Sequence, residues 1–220
     1  MAKKALAARL YVLAGVNGAG KSSIAGAAFR SFGGEYYNPD EAARELLSAS
    51  HRLSQEQANA VAWQQGKRLL ERAIADRLDF ALETTLGANT LPRLLGQAAS
   101  EGLEVRVWYA GLASPELHIE RVRSRVRGGG HDIPEADIRR RFEHSRLNLI
   151  QLLPALTALR MYDNSAAADP AAGLTPSPLE LLHMERARII GPPDLSLTPE
   201  WAKPIVAAAL KIHQSGRRLS

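Results

Sequence analysis

Residues 10–23, LYVLAGVNGAGKSS, constrain the fold more than any other part of the chain. An apolar run over residues 10–13 feeds a turn in which Gly15, Gly20, Lys21 and Ser22 occupy every fixed place of G-x-x-x-x-G-K-[ST], the Walker A phosphate-binding loop. The chemistry sets the spacing. Backbone N–H groups from Asn17 through Gly18, Ala19 and Gly20 to Lys21 must turn inward around phosphate oxygens, and Gly15, Gly18 and Gly20 permit the conformations and close approach that this demands. Lys21 supplies a point charge to the β and γ phosphates. Ser22, with Ser23 beside it, offers a hydroxyl to Mg²⁺, and the helix starting near Lys21 aims its positive dipole end at the same anion. A plain strand–turn–helix corner needs only two glycines. The complete set of fixed residues, with a strand before and a helix after, reads as nucleotide binding.

Past the loop, apolar periodicity alternates between strand and helix. A small-residue helix over 22–31 ends at Gly33-Gly34. A short aromatic strand, EYY, runs into Asn38-Pro39-Asp40 and a helix in which Asp40 is placed to cap. A long helix covers about 54–77, with Val61, Leu69, Ala73 and Ile74 on one side, and a strand over 80–85 follows. Helices over 91–99, from Ser114-Pro115 to the glycines at 128–130, and over 134–153 alternate with strands over 105–110 and 159–163. This order predicts an α/β, P-loop kinase-like three-layer fold: a mostly parallel central sheet, helices on both faces, and a short arginine-rich lid near 121–141. The core is expected over 1–165. Residues 166–220 read as a Pro/Ala-rich linker, an edge strand or hairpin and a C-terminal helix packing on that core.

Composition matters mainly for what it excludes. In 220 residues, 45% hydrophobic and 23% charged, there is material for one real core, and no apolar run approaches the roughly 20 residues that cross a bilayer. The basic start MAKKALAARL lacks a long apolar segment or cleavage site, so no secretory signal is read and the cytoplasm, where triphosphate is available, is expected. Zero cysteines exclude disulfides and thiol chemistry. The net charge of +5 is concentrated over 121–127 and 139–141, flanking a glycine run, which suits a polyphosphate ligand better than a duplex. No metal-ligand spacing such as H-E-x-x-H occurs.

In such a sheet the ligand lies at the carboxyl ends of the strands, so the polar residues there are the candidates. Asp40 stands one strand from the phosphates, where a carboxylate could take the proton of an acceptor hydroxyl, and the helix-cap role suits it equally. Asn38 and Arg44 in the same segment, with Glu83 and Thr85 at the next strand end, are candidates for holding the acceptor. Asn164, ending the last core strand, is a candidate nucleotide contact. Arg121 and Arg125, four apart on one helix face, and His131 between glycine and proline, would close over the transferred phosphoryl group.

Together, AGVNGAGKSS, NPDEAAREL, ALETT, IERVRSRVRGGGHDIPEADIRRRFEHSRLNL and YDNS resemble the zeta toxin family of P-loop kinases, in particular its compact chromosomal members, over residues 10–165. The resemblance implies an ATP- or GTP-using, Mg²⁺-dependent kinase of the amino-sugar 3′-hydroxyl of UDP-N-acetylglucosamine, with a small helical protein antitoxin as partner. It implies Asp40 as catalytic base, Lys21 and Ser22 as phosphate and metal residues, Glu83 and Thr85 as holders of the UDP-sugar, and Arg121 as a lid arginine. Where founding members carry a second lid arginine before a Thr-Pro pair, this chain has His131 before Ile133-Pro134, so either His131 or Arg125 takes that place. Two other readings stay open: another nucleoside or small-molecule P-loop kinase, and a nucleotide-dependent nucleic-acid-binding NTPase.

Overall fold

Five of the strands run parallel because helical crossovers join them, and the most apolar strand is the central one. In the computed structural model, which describes residues 7–22, 24, 29, 35–50, 52–166 and 177–217, these are β1 (Arg9–Ala14), β2 (Glu35–Tyr37), β3 (Phe80–Thr84), β4 (Glu104–Gly111) and β5 (Ala158–Asp163). A hairpin of β6 (Leu179–Glu185) and β7 (Arg188–Gly191) continues the same sheet, in the order β2-β3-β1-β4-β5-β6-β7. β1 pairs in parallel with both β3 and β4. Leu10, Val12, Leu13 and Ala14 are fully buried, as a strand covered on both faces requires. β6 and β7 pair antiparallel, so the expected hairpin is present and extends the core sheet.

The α-helices among the described residues are α1 (Pro39–Ala49), α2 (Gln55–Ala75), α3 (Thr90–Ser100), α4 (Pro115–Arg127), α5 (Glu135–Leu152) and α6 (Lys203–Arg217). Ser54 and Gln57 form a capping box at α2, and Ser114 caps α4 with Pro115 in its first turn. The helix expected over 22–31 and its Gly33-Gly34 stop fall almost wholly outside the described residues, as does the linker at 167–176.

Two local expectations are corrected. The cap of α1 is Asn38, not Asp40: the Asn38 side chain accepts from the N–H groups of Asp40 and Glu41. Asn38 precedes the proline that opens the helix, whereas Asp40 is already inside the first turn, so its carboxylate is free for other work. Val61 is 47% exposed, not inward. The buried stripe of α2 is made of small residues, Ala58, Ala62 and Gly66, followed by Leu70, Ala73 and Ile74. Gly66 is there for clearance: a Cβ would stand 2.7 Å from the Tyr37 ring, whose hydroxyl donates to Ala62 O at 2.6 Å. Size, not hydrophobicity, sets that face.

The C-terminal elements share the main core. Leu181, Leu182, Met184, Trp201, Ile205 and Val206 belong to the same buried cluster as β1 and β4. The Trp201 ring lies flat over Gly111, where a Cβ would come within 2.1 Å of it.

Candidate active site

The phosphate loop is pressed between strand ends and α4, and its glycines are where the pressure is greatest. Gly15 has φ +143°, and a Cβ there would stand 2.4 Å from Ala110 O; Gly18 has φ +82°, with His118 O 2.8 Å from a built Cβ. No other side chain fits. The loop carbonyls are taken from behind. Lys21 Nζ donates to Gly15 O at 2.8 Å, Ala19 N to Val16 O at 3.0 Å and Asn164 Nδ2 to Ala19 O at 2.9 Å. His118 Nδ1 lies 2.8 Å from Asn17 O and, facing a carbonyl, is the ring nitrogen that carries the proton. Burial, above all, pushes the His118 pKa down to about 4, with Lys21 and Arg121 adding to the shift against the pull of Asn17 O, so this donor stays neutral. With the carbonyls anchored, the N–H groups of Asn17, Gly18 and Gly20 have no protein acceptor among the described residues. Free amides at three residues that line one cavity suit an anion.

Two cavities open from this loop. The larger, about 610 Å³, is lined by Gly18, Gly20, Ser22, Arg121, Arg125 and the glycines at 128–130. The other, about 380 Å³, is lined by Thr85, Trp63, Leu91, Ile133, Pro134 and Arg141. Asn17, Lys21, Asn38, Asp40, Glu83 and His131 line both and form the shared wall. Lys21, only 8% exposed, lies 3.4 Å from Glu83 Oε1. The other carboxylate oxygen accepts from Tyr36 OH at 3.1 Å and Asn38 Nδ2 at 3.3 Å. The one buried ammonium of the loop thus has a fully engaged counter-ion.

The lid is α4, the loop 128–134 and the start of α5. Ile133 packs with Val16, Ile119, Val122 and Ile138, which holds the loop down against the phosphate loop itself. Arg121 and Arg125 face the larger cavity and have no carboxylate within ion-pair distance among the described residues; they donate to Ala166 O at 3.3 Å and His131 O at 3.4 Å. Burial lowers the His131 pKa first; Asp40 opposes that, and Arg125, Arg44 and Arg141 reinforce it.

Most of the residues expected at the site therefore meet. Gly18, Gly20, Lys21, Ser22, Asp40, Glu83, Thr85, Arg121, Arg125 and His131 converge on the two cavities. Four residues are placed differently. Gly15 and Ala19 sit fully buried behind the loop, and Asn164 buttresses it through Ala19 O instead of facing the cavity. Arg44 lines the larger cavity only, so it does not share the acceptor side with Thr85. Ser23 lies outside the described residues. Arg141 was read only as one of the lid cluster at 139–141 and not as a residue of the smaller cavity, and His118 and Tyr36 were missed. Arg141 was legible: Ile138, Phe142, Ser145, Leu149 and Leu152 are the buried stripe of α5, and of the three consecutive arginines only Arg141 flanks it on the side of Ile138.

A Walker loop at the point where the sheet order reverses, facing a carboxylate and roofed by arginines, defines a phosphotransferase of the P-loop kinase fold. The sequence model of the Zeta toxin family matches residues 3–166, and the chain belongs to that family. An uncharacterized protein of Haemophilus influenzae is 29% identical over 132 residues, 58% of this chain and 88% of its own length. Among solved structures, the AvrRxo1-ORF1:AvrRxo1-ORF2 complex with sulphate ions contains a chain at TM-score 0.63 and 16% identity, covering 98% of this chain and 77% of that one. The complex with ATP gives 0.64 and 16%, covering 93% and 64%. The PezAT chromosomal toxin-antitoxin system of Streptococcus pneumoniae gives 0.50 and 15%, covering 97% and 88%. At these identities the likeness is one of fold. Family, fold and site together make the chain a nucleotide-using small-molecule kinase. No helix among the described residues is long and apolar enough to cross a membrane.

Proposed function

We propose that the chain transfers the γ-phosphoryl group of ATP or GTP to a hydroxyl of UDP-N-acetylglucosamine or a related metabolite. The observation that carries this reading is the shared wall: Asp40, Lys21 and His131 border the phosphate cavity and the neighbouring 380 Å³ cavity alike. The acceptor oxygen attacks the γ-phosphorus, its proton passes to the Asp40 carboxylate, and the bond to the β-phosphate oxygen breaks to release the diphosphate. Lys21, the loop amides, Arg121 and Arg125 stabilise the charge that spreads over the transferred group. Thr85 holds the acceptor, and Glu83 fixes Lys21 and Asn38 on the wall beside it.

The donor set fits a magnesium nucleotide. A hard cation in such sites takes a loop hydroxyl and phosphate oxygens and keeps its waters, and Ser22 lines the cavity beside the free amides. Among the described residues no group of three carboxylates or histidines offers a separate metal cage. Ser22 would be the protein group that holds Mg²⁺, whose charge would offset part of that of the phosphates. Two of the similar structures belong to named two-protein systems, which supports a protein antitoxin as partner, and a triphosphate donor suits a cytoplasmic protein.

Triphosphate turnover with and without UDP-N-acetylglucosamine is the test. Acceptor-dependent turnover that falls by about 100-fold or more in Asp40→Ala is expected. Turnover independent of any small acceptor but stimulated by nucleic acid would overturn the proposal in favour of an NTPase.

A further inference from the structure

Arg141 is the one guanidinium that lines the smaller cavity and not the larger; Arg121 and Arg125 do the reverse. Three elements hold it there. Its Nη1 donates to Asn17 Oδ1 at 2.7 Å, tying α5 to the phosphate loop. Gly87, past the end of β3, gives its stem passage: a Cβ there would stand 2.7 Å from Arg141 Cγ, so only glycine leaves the arginine room. On its own helix, Asp137 Oδ2 lies 3.8 Å away, while the other oxygen of that carboxylate is engaged by Arg140 at 2.9 Å.

The guanidinium is therefore positioned but only loosely paired, with a carboxylate that it shares with Arg140. Its side chain is only 28% exposed, and its sole tight partner is a neutral amide oxygen. The remaining carboxylates of that cavity are committed elsewhere. Glu83 pairs with Lys21, and Asp132 Oδ1 accepts from Ile133 N at 2.8 Å. That leaves Asp40, across the cavity, as the base. Desolvation, the largest influence on Arg141, disfavours its charge, so a half-buried cation in this setting gains from an anion that arrives with a ligand. Arginine, with five N–H donors in a planar fork, matches the two-oxygen face of a phosphate or carboxylate.

We propose that Arg141 is the specificity-determining residue on the acceptor side: it binds an oxyanion of the acceptor, so the molecule phosphorylated carries a phosphate or carboxylate beside the hydroxyl that reacts. This rests on the smaller cavity being the acceptor site. The fork then sets the distance between the bound anion and Asp40, and a neutral sugar lacks the handle that would hold its hydroxyl in line.

Trp63 lines the same cavity and serves as reporter. The full-length protein is saturated with a non-hydrolysable ATP analogue and titrated with UDP, inorganic phosphate and acetate, and its tryptophan emission is followed, with Trp63→Phe as the control for signal origin. A saturable response to at least one of these anions is expected. It should weaken more than 10-fold in Arg141→Met and less in Arg141→Lys, and by a larger factor than affinity for the ATP analogue, which the lost Asn17 contact also touches. The phosphate and acetate arms tell a phosphoryl handle from a carboxylate one. Absence of any saturable anion response in the wild type, or equal weakening of analogue and anion in Arg141→Met, overturns the assignment. Because the readout is binding, its failure is distinct from failure of the kinase reading, which is decided by the turnover of Asp40→Ala.

Discussion

His118 makes the stability of the phosphate loop dependent on pH, and the size of the effect can be worked out. The folded protein holds this imidazole neutral down to a pKa of about 4, against 6.5 for an unperturbed histidine. The unfolded chain therefore takes up a proton near pH 6.5 that the folded chain refuses until about pH 4. Stability is full above that interval and is lost as the pH falls through it. At 1.36 kcal/mol per pKa unit, the loss between pH 7 and pH 5 is about 2 kcal/mol. Urea unfolding at those two pH values measures it, with His118→Asn as the comparison. Asparagine keeps a side-chain N–H where Nδ1 meets Asn17 O but does not titrate. The variant is less stable throughout because the ring that meets Phe142 edge-on, 5.7 Å between centroids, is gone, so the informative quantity is the change with pH. His131, shifted in the same direction, is present in both proteins and cancels in the comparison. If His118→Asn lost as much stability as the wild type between pH 7 and pH 5, the account of a buried, neutral loop anchor would be wrong.

Other perturbations separate catalysis from architecture. Lys21→Ala is expected to reduce acceptor-dependent turnover by about 100-fold or more and to lower stability by leaving Glu83 buried without its cation; adding Glu83→Gln should restore the melting temperature but not the turnover. Asn38→Ala should cost about 1 kcal/mol in denaturant unfolding through loss of the α1 cap, and an unchanged midpoint would show that Asp40 can take over capping. His131→Ala should weaken transfer more than nucleotide affinity, since its ring borders both cavities. Equal losses in kcat and in binding of the ATP analogue would make it a nucleotide contact only.

What the chain announced in advance follows from how local each feature is. The phosphate loop was legible because its geometry is imposed by steric limits at fixed positions, Gly15 and Gly18 above all. The strands were legible because a sheet covered on both faces leaves continuous apolar runs. Asp40 was ambiguous because capping depends on which residue stands at the boundary, and only the structure puts Asn38 there. Val61 was misjudged because a close contact between α1 and α2 selects alanine at 43, 58 and 62, a preference that hydrophobicity does not record. The roles of Arg44, Asn164 and Tyr36 depend on contacts between segments far apart in sequence, such as Asn164 with Ala19.

The arginines of the lid show how helix phase decides chemistry. Arg123 pairs with Glu135 and Arg139 with Glu116, two ion pairs that staple α4 to α5 on the outer side. Arg140 is taken by Asp137. Exposed pairs of this kind add little stability, but they consume the cations that a nucleic-acid backbone would need. One step along each helix, Arg121, Arg125 and Arg141 turn inward to the two cavities. The two basic clusters of the sequence are therefore each split between an outer and an inner set with different work. The outer set ties the two lid helices together. The inner set divides between the cavity beside the phosphate loop, lined by Arg121 and Arg125, and its neighbour, lined by Arg141, with Asp40 on the wall that both share.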